Sequence, residues 1–207
     1  MASQDSAGRT NQKRRTYNAI LQAAGQLIKV GGEVTMPEVA KAALVSEATA
    51  YRYFPDLVTL LQKAMAEQQP GPAEVLAPVM GSADPVERVA VGTEYLLRHV
   101  LTYQRAVRAT IAATISHPDE AETVRPNLRQ SVIDLALAPV VEAVGEDAPA
   151  LVQLKRDLAV VVAAEALFCL IDSYKLSADE AISSIVHAAT TLTRVAVSEM
   201  SLDRRAS

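Results

Sequence analysis

Seven consecutive residues, Glu47-Ala48-Thr49-Ala50-Tyr51-Arg52-Tyr53, hold one threonine, two tyrosines and one arginine. Thr and Tyr hydroxyls can hydrogen-bond phosphate oxygens, and Arg can pair bidentately with O6 and N7 of guanine. Read as a helix, the stretch sorts these groups by face. Ala50 and Phe54 are four apart and share the side that points into a core. Ala48 and Arg52 each stand two positions from Ala50, roughly 200° around the helix, and point away from that core. Thr49 and Tyr51 project to the flanks, with Tyr53 near Thr49. A helix seated in a DNA groove needs base readers at its tip and phosphate holders at its sides. Arg52 is the best base reader here, with Glu47 and Ala48 as minor readers near the helix N-terminus. The competing reading is a short amphipathic helix whose tyrosines only pack.

The elements around this stretch are those that would position it. Val39 to Val45 reads as a preceding short helix and turn, so the pair has the layout of a helix-turn-helix, whose second helix enters the major groove. Upstream, Arg14 and Arg15 lead into a stripe of Ile20, Leu21, Ala24, Leu27 and Ile28 at helical spacing. Gly31-Gly32 should end that helix, because glycine tolerates the left-handed C-terminal conformation. Thr35-Met36-Pro37-Glu38 has the form of a capping box with proline in the first turn. Asp56 should cap a fourth helix with Leu57, Leu60, Leu61 and Met65 as its apolar positions.

These residues, in order and without gaps from 14 to 61, resemble the TetR (tetracycline-repressor-like) family of transcriptional regulators. The resemblance rests on Arg14, Ile20-Leu21, Ala23-Ala24, Leu27-Ile28, Gly31-Gly32, Thr35, Val39-Ala40, Ala43, Val45-Ser46, Thr49, Tyr51-Arg52-Tyr53-Phe54-Pro55 and Leu60-Leu61. It covers less than a third of the chain. It implies that Arg14, Thr35, Ser46, Glu47, Ala48, Thr49, Tyr51, Arg52 and Tyr53 are the DNA-binding residues. Two departures stand out. The family usually has glycine in the turn, where this chain has Leu44, which must take a less favourable backbone conformation or shift the turn. The family often has lysine early in the fourth helix, where this chain has Leu57, so one phosphate contact is in doubt.

Composition agrees with a two-part helical protein. The 207 residues are 50% hydrophobic, lack tryptophan and carry a net charge of −4. That charge is unevenly spread. Residues 1–63 hold eight Lys/Arg against five Asp/Glu, a net of +3, which leaves −7 for the remainder. A basic head on an acidic body orients the head toward phosphate. The polar, basic first fifteen residues lack the apolar core of a signal peptide and read as a flexible arm. The most apolar run, residues 158–171, contains Glu165 and is shorter than the roughly 20 residues of a membrane span. The single cysteine, Cys169, reads as a small buried residue in a reducing cytoplasm.

Beyond a linker at Gln69-Pro70-Gly71-Pro72 and a second break at Gly81-Ser82-Ala83, further helices are expected. One starts at Asp84-Pro85 and bends near Tyr103 into another that runs to about Ile115. His117-Pro118-Asp119 breaks the pattern, a further helical pattern runs to Val144, interrupted or started around Pro126, and Pro139 should kink it. Two long helices follow, over about 150–174 and 177–200, the second opened by a capping box at Ser177-Ala178-Asp179-Glu180. Leu158 to Ile171 is apolar nearly all round, which predicts burial on more than one side. The resemblance implies the same, since family members usually dimerise through a four-helix bundle of their last two long helices.

Helical bundles also enclose small-molecule pockets, and family members generally bind an effector there and release DNA. Candidate pocket residues are Tyr95, His99, Tyr103, Gln130, Asp134, Glu165, Phe168, Cys169 and Asp172, with Thr110 and Thr114 as further polar positions. Glu165 is the sharpest, because an acid inside an apolar run must be paired, protonated or facing a polar cavity. Salt bridges to Arg105, Arg108, Arg125 or Arg129 are the competing reading. His99, His117 and His187 lack metal-ligand spacing, no second cysteine offers a zinc pair, and no glycine-rich phosphate loop or GxSxG elbow is present. No catalytic residue, metal or resident cofactor is therefore assigned, and the chain is not expected to be an enzyme.

The sequence thus predicts an all-α chain in three parts. Residues 1–12 form a flexible basic arm, 13–61 a three-helix helix-turn-helix DNA-binding domain, and 62–207 a helical effector-binding and dimerisation domain. The expected protein is a cytoplasmic, homodimeric regulator, a repressor released from a palindromic double-stranded operator by an unidentified small-molecule effector, with no membrane partner. The alternative is a helical adaptor that binds protein and has no DNA affinity.

Overall fold

The structure, a computed structural model, describes residues 2–30, 34–116 and 128–206, with side chains described over 10–30, 34–116 and 128–201. Among the described residues there are twelve α-helices and no strand. They are α1 (Ala2–Val30), α2 (Met36–Ala42), α3 (Glu47–Tyr53), α4 (Leu57–Glu67), α5 (Pro72–Val75), α6 (Pro85–Thr102), α7 (Gln104–Ser116), α8 (Leu128–Ala136), α9 (Ala138–Val144), α10 (Pro149–Val161), α11 (Ala164–Asp172) and α12 (Ala178–Ala206). The stop at Gly31-Gly32, the break at His117-Pro118-Asp119 and the start at Pro126 lie outside the described residues.

The helix starts follow local chemistry. Thr35 caps α2 in a reciprocal capping box: Glu38 N–H donates to Thr35 Oγ1 at 3.4 Å, and Thr35 N–H donates to Glu38 Oε2 at 3.1 Å. Asp56 caps α4 by accepting from Thr59 N–H at 2.7 Å. Ser177 opens α12 the same way, its hydroxyl and N–H both donating to Glu180 Oε2. Each arrangement satisfies backbone donors that the first helical turn leaves without partners. The two bonds from Ser177 hold the Glu180 carboxyl below its ordinary pKa.

The chain divides into two compact units. The head unit holds residues up to Gln69 together with the segment from Thr102 that carries α7. Its core is one apolar cluster in which Ile20, Leu21, Ala24, Val39, Ala50, Phe54, Leu60 and Leu61 are buried with Tyr103 and Ala106. Helix α4 packs on both α1 and α7. The domain boundary expected at 61/62 therefore falls inside α4, and α7 lies in the head unit instead of the body. Residues 2–12, expected as a flexible arm, are helix continuous with the rest of α1.

The body unit holds Pro70–Leu101 and the chain from α8 onward. In it α12 packs on α10 and α11, and α8 packs on α5, α9 and α10. Buried Gly92 on α6 permits a close approach, since a Cβ there would meet Val132 Cγ1 at 2.8 Å. The sequence suggested one helix over about 150–174, but the chain breaks at Val162. Val162 sits at φ −83, ψ 61, and Ala163 N–H donates to Val161 O at 2.9 Å. That is an inverse γ-turn. It closes a run of three valines, whose branched side chains lose rotamer freedom in a helix. The Pro139 kink is a full break, with α9 starting afresh after Leu137 and the proline in its first turn.

One buried charge ties the body together. Arg88 on α6 is 4% exposed and donates only to backbone carbonyls. Nε reaches Ala136 O at 3.1 Å, Nη2 reaches Leu135 O at 2.7 Å, and Nη1 shares Val79, Met80 and Ser82 O at 3.2–3.3 Å. Leu135 and Ala136 end α8, where the helix dipole is negative and favours a cation.

Candidate nucleic-acid interface

Helix α3 presents the faces its spacing predicts. Ala50 and Phe54 are fully buried, whereas Glu47, Ala48, Tyr51 and Arg52 are exposed. The inward side is fixed by aromatic contacts. Phe54 stacks on Tyr17 of α1 with ring centroids 4.9 Å apart, and Tyr53 meets the same ring edge-on at 6.5 Å. Tyr53 is therefore half-buried in the head core, and its ring carries the Arg52 guanidinium 5.6 Å from its centroid. This cation–π contact holds the base-reading candidate beside the helix without taking any of its N–H donors.

The hydroxyls divide between capping and display. Ser46 is the N-cap of α3 and accepts from Thr49 N–H at 3.2 Å, and its Oγ lies 2.9 Å from Thr49 Oγ1. Thr35 Oγ1 is engaged with Glu38. Ser46 and Thr35 thus shape the α2–turn–α3 unit first, and any phosphate contact they make is an additional bond. Tyr51 is half exposed and Arg14 on α1 is exposed. Exposed Lys41 and Lys63 add positive charge to the same unit, Lys63 lying 5.8 Å from the Phe54 ring centroid.

The turn between α2 and α3 resolves the departure at Leu44. Leu44 takes φ 56, the left-handed region. Its N–H donates to Lys41 O at 3.2 Å and Val45 N–H donates to Ala40 O at 2.9 Å. This pair of bonds is the Schellman stop, whose left-handed position is usually glycine. The turn keeps its geometry and the leucine accepts a cost of roughly 1–2 kcal/mol.

The comparisons agree with this geometry. Residues 20–63 match the family described as bacterial regulatory proteins, tetR family. A TetR transcriptional regulator from Rhodococcus sp. RHA1, known as a crystal structure, is 26% identical with a TM-score of 0.54, over 87% of this chain and 97% of that one. The N-terminal part of the chain is thus a TetR-type DNA-binding domain. That likeness implies DNA-binding transcription regulation. No curated protein matches the chain. Regulators of this family are generally non-enzymatic. Among the described residues no His/Cys/Asp/Glu group could hold a metal ion, and no helix is long and apolar enough to cross a membrane.

The nine residues proposed for an effector pocket fall on both compact units of the chain. Tyr103 is buried in the head core. Tyr95 and His99 stack along α6 with centroids 6.1 Å apart. Burial lowers the His99 pKa from its usual 6.5. Glu165, Cys169 and Asp172 form an exposed stripe on α11, while Phe168 beside them is buried. Cys169, expected to be buried, is thus exposed. Asp134 pairs with Lys155 at 2.8 Å. Asp134 and exposed Gln130 line a cleft of about 500 Å³ that also includes Arg129, Glu146, Asp147 and Arg156. The apolar space between α6, α8 and α10 is only about 10 Å³, no larger than one water needs.

Sequence reasoning missed two residues that shape these units. Tyr17 holds the inward side of α3, and its spacing of three from Ile20 on the same apolar stripe was the available signal. Arg88 gave no local signal, because its α8 partners lie 47 and 48 residues away.

Proposed function

We propose that this chain is a dimeric repressor that seats α3 of each protomer in successive major grooves of a near-palindromic operator. The observation that carries the reading is the division of α3, with Ala50 and Phe54 fully buried and Ala48 and Arg52 turned outward. An outward Arg beside exposed Tyr51 supplies a base reader next to a phosphate holder. The half-sites should then lie roughly 34 Å apart or a multiple of it.

Dimerisation through the last long helices is supported by apolar side chains left at the surface of the body, Val160 on α10 at 74% exposure and Val195 on α12 at 51%. Release by a small-molecule effector is the family expectation. The cleft lined by Gln130 and Asp134 is the effector site we favour, and its mixed charge suits a polar ligand. A ligand shifts the DNA-binding equilibrium only through different affinity for the two states. A genomic pull-down of bound DNA tests the operator reading. Recovery of a shared near-palindrome supports it, and recovery of unrelated fragments in proportion to their abundance rejects it. A thermal-shift screen tests the effector reading: ligands that raise the melting temperature must also weaken operator binding.

A further inference from the structure

We propose that Leu44 is a specificity-determining residue, its side chain contacting the 5-methyl group of a thymine at the rim of the groove that α3 enters. The inference rests on the DNA-binding reading above and assigns a role to the position where this chain departs from the family.

Two costs meet at Leu44, and no packing among the described residues offsets them. Its backbone is left-handed at φ 56, in a helix stop that glycine fills without strain. Its side chain is 94% exposed, the highest value among the exposed large hydrophobics of the described residues. The adjacent Val45 turns inward and packs on the head core, so the turn does not need Leu44 for its own burial. Lys175 provides the contrast: it is also non-glycine and left-handed at φ 59, but its charged side chain belongs in water.

Position selects the partner. Leu44 stands two residues before Ser46, the N-cap of α3, at the end where a second helix of this kind meets base edges. Its exposed neighbours Lys41, Ala42, Ser46 and Glu47 are small, polar or charged. A protein partner would need a wider apolar surface than a single leucine gives. In the major groove, thymine alone presents a methyl group, so an apolar side chain at the rim distinguishes it from the other bases.

The test selects duplexes from a random-sequence library with the wild-type chain and with Leu44→Gly and Leu44→Asn, both compatible with the left-handed turn. Each thymine of the wild-type consensus is then replaced singly by uracil, which removes only the methyl group. One uracil position per half-site should weaken the wild-type chain about fourfold and leave both variants unchanged, while their selected sequences lose the thymine preference there. Equal loss of affinity by the variants on thymine and uracil duplexes overturns the proposal and places Leu44 on the sugar–phosphate edge. Variants that bind and select like the wild type also overturn it, with the DNA-binding reading intact. If the wild-type chain selects no shared sequence, both readings fall.

Discussion

The head and body units solve opposite problems. The head closes a single apolar core over α1 to α4 and α7 and leaves its chemistry outside, on Tyr51, Arg52 and the basic side chains of α1 and α2. The body does the reverse. It encloses a guanidinium, Arg88, and like the head it also leaves aliphatic side chains, Val160 and Val195, at its surface. A unit whose polar groups face out can read a charged polymer as it stands. A unit that stitches its loops through one buried cation is built to hold a fixed shape.

The largest effect expected from breaking this contrast is in the body. Arg88→Met removes every donor from five backbone carbonyls and should cost about 3–5 kcal/mol. Urea unfolding measures this directly, and a loss under about 1 kcal/mol would mean that water replaces the guanidinium at no penalty. Next comes the exposed valine. Val160→Asp should raise the dimer dissociation constant at least about tenfold, because a carboxylate would be buried without a partner. Light scattering over a dilution series reads it, and an unchanged dimer would move the interface elsewhere.

The same contrast explains what was legible in the sequence. The caps at Thr35, Asp56 and Ser177 were readable because donor and acceptor stand three residues apart. The faces of α3 were readable because helical spacing alone separates Ala50 and Phe54 from Ala48 and Arg52. Leu44 was visible as a strained position because a turn's backbone is set locally. The body depends on distance in the chain. The break at Val162 carries no proline or glycine, and periodicity read straight through it, so Cys169 was expected inside and Glu165 was placed in a core run. Tyr103 was assigned to the body because nothing local shows that α7 packs on α4. Arg88 gave no signal at all, since its partners are carbonyls, which a sequence cannot display.

Smaller effects sharpen the account of the head. Ser46→Ala should destabilise the protein by about 1 kcal/mol through loss of the α3 cap. Leu44→Gly, two residues away, should stabilise it by about 1 kcal/mol by relieving the left-handed leucine. Thermal melting of the two variants should therefore shift in opposite directions, and a loss of stability in Leu44→Gly would show that the turn carries no strain.

The smallest expected effect is a titration in the body. His99 lies on α6, partly buried and stacked on Tyr95, and burial holds its pKa below 6.5. The folded state thus favours neutral imidazole. Its contribution is complete above 6.5 and declines as pH falls through that value toward the lower folded pKa, because the unfolded chain binds the proton first. His99→Gln should flatten the fall in melting temperature between about pH 7 and about pH 5. An unchanged slope would assign that pH dependence to other groups.

The central claim is that the outward face of α3 reads bases. Its most direct test measures the affinity of the wild-type chain and Arg52→Ala for the recovered operator and for a scrambled duplex of equal length, at one salt concentration. The account predicts that Arg52→Ala loses about 1–3 kcal/mol on the operator and far less on the scrambled duplex, so that sequence preference collapses while general DNA affinity largely remains. Equal losses on both duplexes would make Arg52 a phosphate contact, and no loss on either would contradict the assigned face of the helix.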